Sequence, residues 1–118
     1  MNNELRRAVL EDLALVRDRS WSLARDALVN DSLVWTNCPD AFERLRSLVR
    51  SPDDVDSFAT AVQEFVHVAL HSMLVIVDGG TASAEVGRIS LVDETGESLG
   101  DGLHEVFVEH LFETERLR

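Results

Sequence analysis

The chain has little cysteine, with Cys38 as the only one in 118 residues. A single cysteine excludes an internal disulfide and favours a reducing compartment, so we expect a cytoplasmic protein. The N-terminal residues alternate between apolar and charged types and lack the apolar core of a signal peptide. The longest apolar run, residues 73–77, is far shorter than the roughly 20 residues of a membrane-spanning helix, so we expect no membrane partner.

Basic side chains are also scarce, since 11 Lys and Arg residues stand against 22 Asp and Glu residues and give a net charge of -11. A field of this sign repels phosphate backbones, so the composition predicts no nucleic-acid partner. The acidic surplus serves solubility, or it forms a negative face that attracts a basic protein partner and speeds association.

Signatures of catalysis are missing as well. There is no His-Glu-x-x-His, and Glu-x-x-His occurs once, from Glu64 to His67, whereas di-iron bundles need it twice with further glutamates. The glycines at 79–80 and 100–102 do not follow a predicted strand in a phosphate-binding pattern, so they are interpreted as turns. Cys38 precedes a helix start, but no histidine is near it in sequence. The sequence favours a non-enzymatic protein.

The periodicity of apolar residues predicts a mainly α fold, α+β at most, in one helical bundle-like domain of residues 1–118. A long central helix is predicted over residues 51–80, with Ser51 as cap, Pro52 at the first helical position and Gly79 with Gly80 at the end. The run 73–77 alone would also suit a strand, but the three-four spacing of apolar residues continues through it and favours a helix.

A second long helix is predicted over residues 3–29, with its stop at 30–32. Its apolar stripe is wide, as expected of a helix that packs against two neighbours, or against one neighbour and a second copy of the chain. The first helix therefore either packs against two neighbouring helices of its own chain or forms a homodimer interface. The short apolar run at residues 33–35 is not assigned to any element.

Three shorter elements complete the prediction. A helix is expected over residues 39–50, and a small β-hairpin over about 89–99 with its turn at 94–97. The last helix is expected to start with Asp101 as its cap and to end near Thr114, and residues 115–118 are expected to fray.

All four histidines fall on the central and last helices, and three side chains on the central helix, Glu64, His67 and His71, lie one turn apart. With His104 from the last helix they form a candidate site for a divalent metal such as zinc, with Asp78 or Glu105 behind the ligands. The competing interpretation is a polar stripe whose histidines are structural. His104 and Glu105 are adjacent and point about 100° apart, which disfavours an acid/base pair, and His110 is predicted to be a satisfied core histidine.

Two functions are consistent with these observations. The first is a protein-interaction module that neutralises or regulates a basic partner, because its size and charge are typical of inhibitor, antitoxin and immunity proteins as a class. The second is a metal-binding protein or metal-dependent enzyme built on Glu64, His67, His71 and His104.

Overall fold

The computed structural model describes residues 1–30 and 36–118, and most of them are helical. This part of the chain contains no β-strand, so the mainly α prediction is confirmed. The predicted stop at residues 31 and 32 and the unassigned run 33–35 lie outside the described residues. In chain order the elements are α1 (Asn3–Val29), α2 (Pro39–Leu48), α3 (Pro52–Val77), the short 3₁₀ helix η1 (Ala82–Glu85) and α4 (Leu103–Glu113).

The chain forms two compact units. Unit 1 comprises Met1–Leu15 and Val68–Arg118, and unit 2 comprises Val16–His67. The first half of α1 and the last part of α3 therefore belong to unit 1, and the remaining parts of both helices belong to unit 2. The assignment of residues 1–118 to a single domain stays a prediction.

The ends of α3 confirm the capping prediction. The Ser51 hydroxyl accepts a hydrogen bond from the backbone N–H of Asp54 at 3.1 Å, as a helix cap does. At the other end Gly79 has φ of +79°, the left-handed conformation that glycine adopts without strain. The backbone N–H of Gly80 then donates to the carbonyl of Val75 at 2.9 Å. The run 73–77 is helical, as the unbroken spacing predicted.

The predicted β-hairpin does not form in the described chain. Only one antiparallel bridge, between Val92 and Ser98, spans the turn. The turn is closed by backbone bonds, from Asp93 N–H to the Glu97 carbonyl and from Leu99 N–H to the Leu91 carbonyl, and by the Asp93 side chain, which accepts from the backbone N–H groups of Thr95 and Glu97. The carbonyl of Ser98 accepts from the backbone N–H of Asn2 rather than extending a ladder. A two-stranded hairpin is marginal by itself, so the pairing stops after one bridge and the Asp93 side chain supports the turn.

Two further predictions at the C-terminal end are wrong. Asp101 does not cap α4, since the residue before the helix is Gly102, in the left-handed conformation, and it makes no side-chain cap. The last residues do not simply fray. The backbone N–H of Arg116 donates to the carbonyl of Leu111 at 2.8 Å, and the Arg116 guanidinium binds Glu11. The side chains that hold these two segments, Asp78 for the start of α4 and Glu11 for Arg116, are both distant in sequence.

Unit 1 has a core of large side chains. Phe107 and Leu111 on α4 are fully buried. With Leu103 one turn earlier, each successive turn of α4 contributes a large apolar group to the interior, as predicted from its broad apolar surface. The remaining buried apolar residues of this unit are Leu10, Ala14, Leu70, Leu74, Leu99 and Leu103.

Unit 2 buries smaller side chains. Among its described residues, the completely buried apolar ones are Ala27 on α1 and Ala59 on α3. Polar bonds join the same two helices: Trp21 donates to Thr60 at 3.3 Å, and Arg25 pairs with Asp56 at 3.2 Å. No residue of α2 is buried. Apolar side chains also border an open groove of about 190 Å³ in this unit, among them Leu23, Phe42, Phe58 and Val66.

The stretch Pro52–Glu85, which contains α3, is long and apolar enough to cross a membrane by length and composition alone. Only 11% of its most apolar window is buried. An exposed apolar helix face is unusual for a soluble domain and requires an explanation. That no membrane is bound remains a prediction.

Candidate functional site

The residue that organises unit 1 is Asp78, which directly follows α3. Its side chain is only 6% exposed. The two carboxylate oxygens accept hydrogen bonds from the backbone N–H groups of Leu103 and His104, at 2.9 and 2.8 Å. These donors lie in the first turn of α4, where backbone N–H groups have no intrahelical partner. Asp78 therefore caps α4 from 25 residues away in sequence.

Asp78 also fixes the imidazole of His104. The Nδ1 atom of His104 lies 2.5 Å from Oδ2 of Asp78. An ionised carboxylate only accepts hydrogen bonds, so Nδ1 carries the proton and neutral His104 has its lone pair on Nε2. Burial by itself would raise the pKa of Asp78, but the hydrogen bonds from the backbone and ring of His104 and from the backbone of Leu103 outweigh it, so the pKa lies below its ordinary value.

A second imidazole lies beside the first. The rings of His71, on α3, and His104 have centroids 5.4 Å apart and are nearly perpendicular, at 89°. A carboxylate oxygen of Glu105 lies 3.8 Å from Nε2 of His104. We call His71, Asp78 and His104 the imidazole cluster. Its chemistry is that of a carboxylate-oriented histidine, which suits a hydrogen-bond acceptor, a base or a metal ligand.

The four predicted metal ligands are divided between the two units. His71 and His104 meet in unit 1, whereas Glu64 and His67 belong to unit 2, where Glu64 is exposed. Across residues 1–30 and 36–118, no three His, Cys, Asp or Glu side chains are grouped so that they could hold a metal ion. Asp78 takes the supporting position that the sequence suggested for it. The metal site stays a prediction.

A second polar cluster in unit 1 is centred on Glu11 of α1. Its carboxylate accepts from both terminal nitrogens of Arg116, at 2.6 and 3.2 Å, and lies 2.7 Å from Nε2 of His110. The bond from Arg116, helped by that from His110, lowers the pKa of Glu11 against a smaller opposing effect of burial. His110 is 9% exposed and satisfied, as predicted. This cluster is a structural clamp between two helices and the tail.

The exposed side of α4 is acidic. Glu105, Glu109 and Glu113 recur every four residues and are all exposed, as predicted. Phe112 lies within the same stretch of surface and is 53% exposed. No ion pair of Glu109 or Glu113 occurs in the described chain. We call Glu105, Glu109, Glu113 and Phe112 the acidic stripe.

Sequence reasoning missed Glu11 and Asp93. Asp93 accepts from the hydroxyl and backbone of Thr95, from the Asn2 amide and from the backbone of Glu97, and these bonds lower its pKa. The Asp-Glu-Thr-Gly sequence contained a local signal for this turn, since aspartate commonly bonds the backbone two residues on. No local signal identified Glu11, because its partners are about 100 residues away.

Cys38, the other residue with intrinsic reactivity, is exposed and lies at the start of α2, where its contacts are with Thr36. No titratable side chain is bonded to it within the described chain, so nothing here activates a thiol. The chain matches no protein-family model, and comparisons with curated proteins and with solved structures also find no match.

Proposed function

We propose that this chain is a non-enzymatic, cytoplasmic protein-interaction module that binds a basic protein partner through the acidic stripe. By class it belongs with inhibitors, antitoxins and immunity proteins, which neutralise cationic enzymes. The observation that carries the proposal is the acidic stripe itself, three exposed carboxylates at four-residue spacing around an exposed phenylalanine.

The spacing of the stripe supports a binding role. Like charges at i and i+4 on a helix repel and destabilise it by a few tenths of a kcal/mol per pair, about 0.2–0.5. Glu109 and Glu113 make no direct ion pair in the described chain, although Arg6 and Arg7 of α1 line the same open pocket and reduce part of this repulsion. Arginine or lysine side chains of a partner would relieve the repulsion, and Phe112 would provide an apolar anchor beside the charged contacts.

The distribution of charge points to the same surface. Unit 1 contains 13 acidic and five basic residues, whereas unit 2 contains nine acidic and six basic residues. Most of the net charge therefore belongs to the unit that carries the stripe. A field concentrated in this way steers a cationic protein toward unit 1 and raises its association rate.

The experiment compares partner capture by three forms of the tagged full chain from a lysate of its own host. The first is the natural protein, the second has Glu105, Glu109 and Glu113 changed to Gln, and the third has the exposed Glu43, Glu85 and Glu94 changed to Gln. Both triple variants lose the same charge. We expect the natural form and the Glu43/Glu85/Glu94 variant to retain a basic protein, and the stripe variant to lose it. The retained protein should dissociate when the salt concentration is raised.

Retention of the same partner by both triple variants, or no specific partner for any form, would overturn the proposal. Thermal unfolding provides an internal control. The stripe variant is expected to melt close to the temperature of the natural protein, because relief of the i,i+4 repulsion offsets the loss of the Glu105 charge at the positive end of α4. Loss of binding in a variant of equal stability excludes misfolding as the cause.

The metal function is the second candidate, and the orientation of His104 by Asp78 favours it. A carboxylate behind a metal-binding histidine fixes its tautomer and makes it a better ligand. The two imidazoles of His71 and His104 would supply two ligands, with water or a substrate in the remaining positions. We expect untagged protein purified without chelator to contain about one equivalent of zinc. The zinc should be lost in His71→Ala and in His104→Ala but retained in His110→Ala. Absence of metal after incubation with the ion would reject this candidate.

A further inference from the structure

The end of α3 in unit 1 has an outer face without a partner in the described chain. Val68, Met73 and Ile76 are 51%, 53% and 43% exposed. Ala69 and Ser72 lie between them and are also exposed. At 100° per residue, these five side chains occupy one arc of the helix. We call them the α3 arc.

The opposite side of the same segment is well packed. Leu70 and Leu74 are each only 6% exposed. The helix therefore already contributes to the core of unit 1, and the α3 arc is an additional apolar surface rather than a core face that failed to pack. A surface of this kind in a soluble protein marks an interaction site more often than chance exposure.

Charge identifies the kind of partner. Between Glu64 and Asp78, α3 has no acidic or basic residue apart from His67 and His71. In a chain with a net charge of -11, such a stretch is an exception. A basic partner would find nothing here to pair with, whereas two copies of this acidic chain repel at charged surfaces and can approach each other where charge is absent.

We propose that the α3 arc is a homodimer interface, in which the arc of one chain packs against the same arc of a second copy. Two-fold symmetry makes such an interface self-complementary. With the helices antiparallel and the axis near Ser72, Val68 would face Ile76 of the second copy. The small residues Ala69 and Ser72 would allow the helix axes to approach closely.

The arc is small, so the dimer should be weak. Three half-exposed aliphatic side chains cover less than the about 800 Å² per partner of a standard stable interface. We therefore expect a monomer–dimer equilibrium that depends on protein concentration. Its response to salt distinguishes it from the acidic stripe. Salt screens the repulsion between acidic copies and strengthens the dimer, whereas it weakens the binding of a basic partner.

A lipid surface is the other apolar partner that α3 suggests by its length and composition. The buried Leu70 and Leu74 argue against it, because a helix committed to a protein core on one side cannot be surrounded by lipid. The net negative charge also repels anionic membranes.

The test is sedimentation velocity of the full chain over a range of concentrations, at low and at high sodium chloride. Two variants form a matched pair: Ser72→Glu places a charge within the α3 arc, and Ser57→Glu places the same charge on an exposed position of α3 outside it. We expect the natural protein and Ser57→Glu to dimerise, more strongly in salt, and Ser72→Glu to weaken the dimer on the order of tenfold or more. Circular dichroism checks that all three are folded.

A cross-link gives a second, independent measurement. In a Cys38→Ser background, Ser72→Cys is expected to form a disulfide-linked dimer on mild oxidation, and Ser57→Cys is not. A natural protein that stays monomeric at every concentration overturns the proposal, as does a dimer that tolerates Ser72→Glu. A dimer broken by Leu23→Asp but not by Ser72→Glu would place the interface on α1 instead. Binding of monomers to phosphatidylcholine vesicles, lost in Ser72→Glu, would assign the arc to lipid. None of these outcomes bears on capture of a basic partner by the acidic stripe.

Discussion

The two units differ in the interactions that stabilise each of them internally. Unit 1 has Phe107 and Leu111 fully buried, and its three carboxylates with lowered pKa values, Glu11, Asp78 and Asp93, each join segments that are distant in sequence. Unit 2 has alanines at its most buried described positions, and its ion pair between Arg25 and Asp56 is exposed, which limits what the pair contributes to stability. The stability of unit 1 therefore depends on both large apolar groups and ionised carboxylates, whereas the stability of unit 2 depends mainly on helix packing.

The largest expected effect contrasts the two cores. Phe107→Ala removes a fully buried ring from unit 1 and should lower the free energy of unfolding by about 3–5 kcal/mol. Phe58→Ala in unit 2 removes a ring that is only partly buried, so the loss should be about 1 kcal/mol. Urea denaturation followed by circular dichroism measures both. Equal losses would show that the two cores are equivalent.

The next effect tests the cap of α4. Asp78→Ala leaves two backbone N–H groups and the His104 ring without their acceptor, and we expect a loss of roughly 3 kcal/mol. Asp101→Ala is the matched control, since Asp101 is exposed and should change stability by less than about 0.5 kcal/mol. If Asp101→Ala were the more damaging substitution, the sequence-predicted cap would be the correct one.

A smaller effect is expected at the clamp around Glu11. Glu11→Gln keeps the shape of the side chain but removes the charge that binds Arg116 and His110, and we expect a loss of about 1–2 kcal/mol. Asp12→Asn, at the neighbouring exposed position of α1, should have almost no effect. Urea denaturation at neutral pH measures the free energy of unfolding of both variants. An equal loss in the two variants would contradict a stabilising role of the Glu11 clamp.

The helices were predictable because their signals are local. The start of α3 is determined by Ser51 and Pro52, its end by Gly79, and the apolar spacing between them is continuous. The same local reasoning chose Asp101 as the cap of α4, since an aspartate just before an apolar helix is a strong signal. Asp78 takes that position in the structure because it is carried to α4 by the fold, which no short-range pattern reveals.

The candidate site was predicted only in its parts. Sequence analysis identified the histidines and proposed Asp78 as a supporting residue, but the contact between the rings of His71 and His104 depends on which helices are neighbours. The β-hairpin was overpredicted because a brief alternation of residue types does not distinguish strands from a turn held by the Asp93 side chain. The exposed glutamates of α4 were predicted correctly, because their four-residue spacing fixes them on one side of a helix.

The dependence of unit 1 on ionised carboxylates has a definite pH direction. The pKa values of Asp78 and Glu11 in the folded protein lie below their ordinary values of 3.8 and 4.5. The folded state therefore binds fewer protons than the unfolded state in this range, so the stabilisation is fully present above these ordinary values and is lost as pH falls through the lower folded values. In unit 2 the Arg25–Asp56 ion pair is exposed, so protonation of Asp56 should cost little stability.

The most direct test of this difference is an acid titration that observes each unit separately, from neutral pH to below pH 4. Backbone amide signals of Leu103 and His104 report on unit 1. The fluorescence of Trp21, measured in a Trp35→Phe background, reports on unit 2, since both tryptophans of the chain fall within residues 16–67. As the pH falls, we expect the two amides to lose hydrogen-exchange protection at a higher pH than the pH at which Trp21 fluorescence changes. In Asp78→Asn, the protection of these amides should depend less on pH. Simultaneous loss of both signals, unchanged in Asp78→Asn, would contradict a carboxylate-stabilised unit 1.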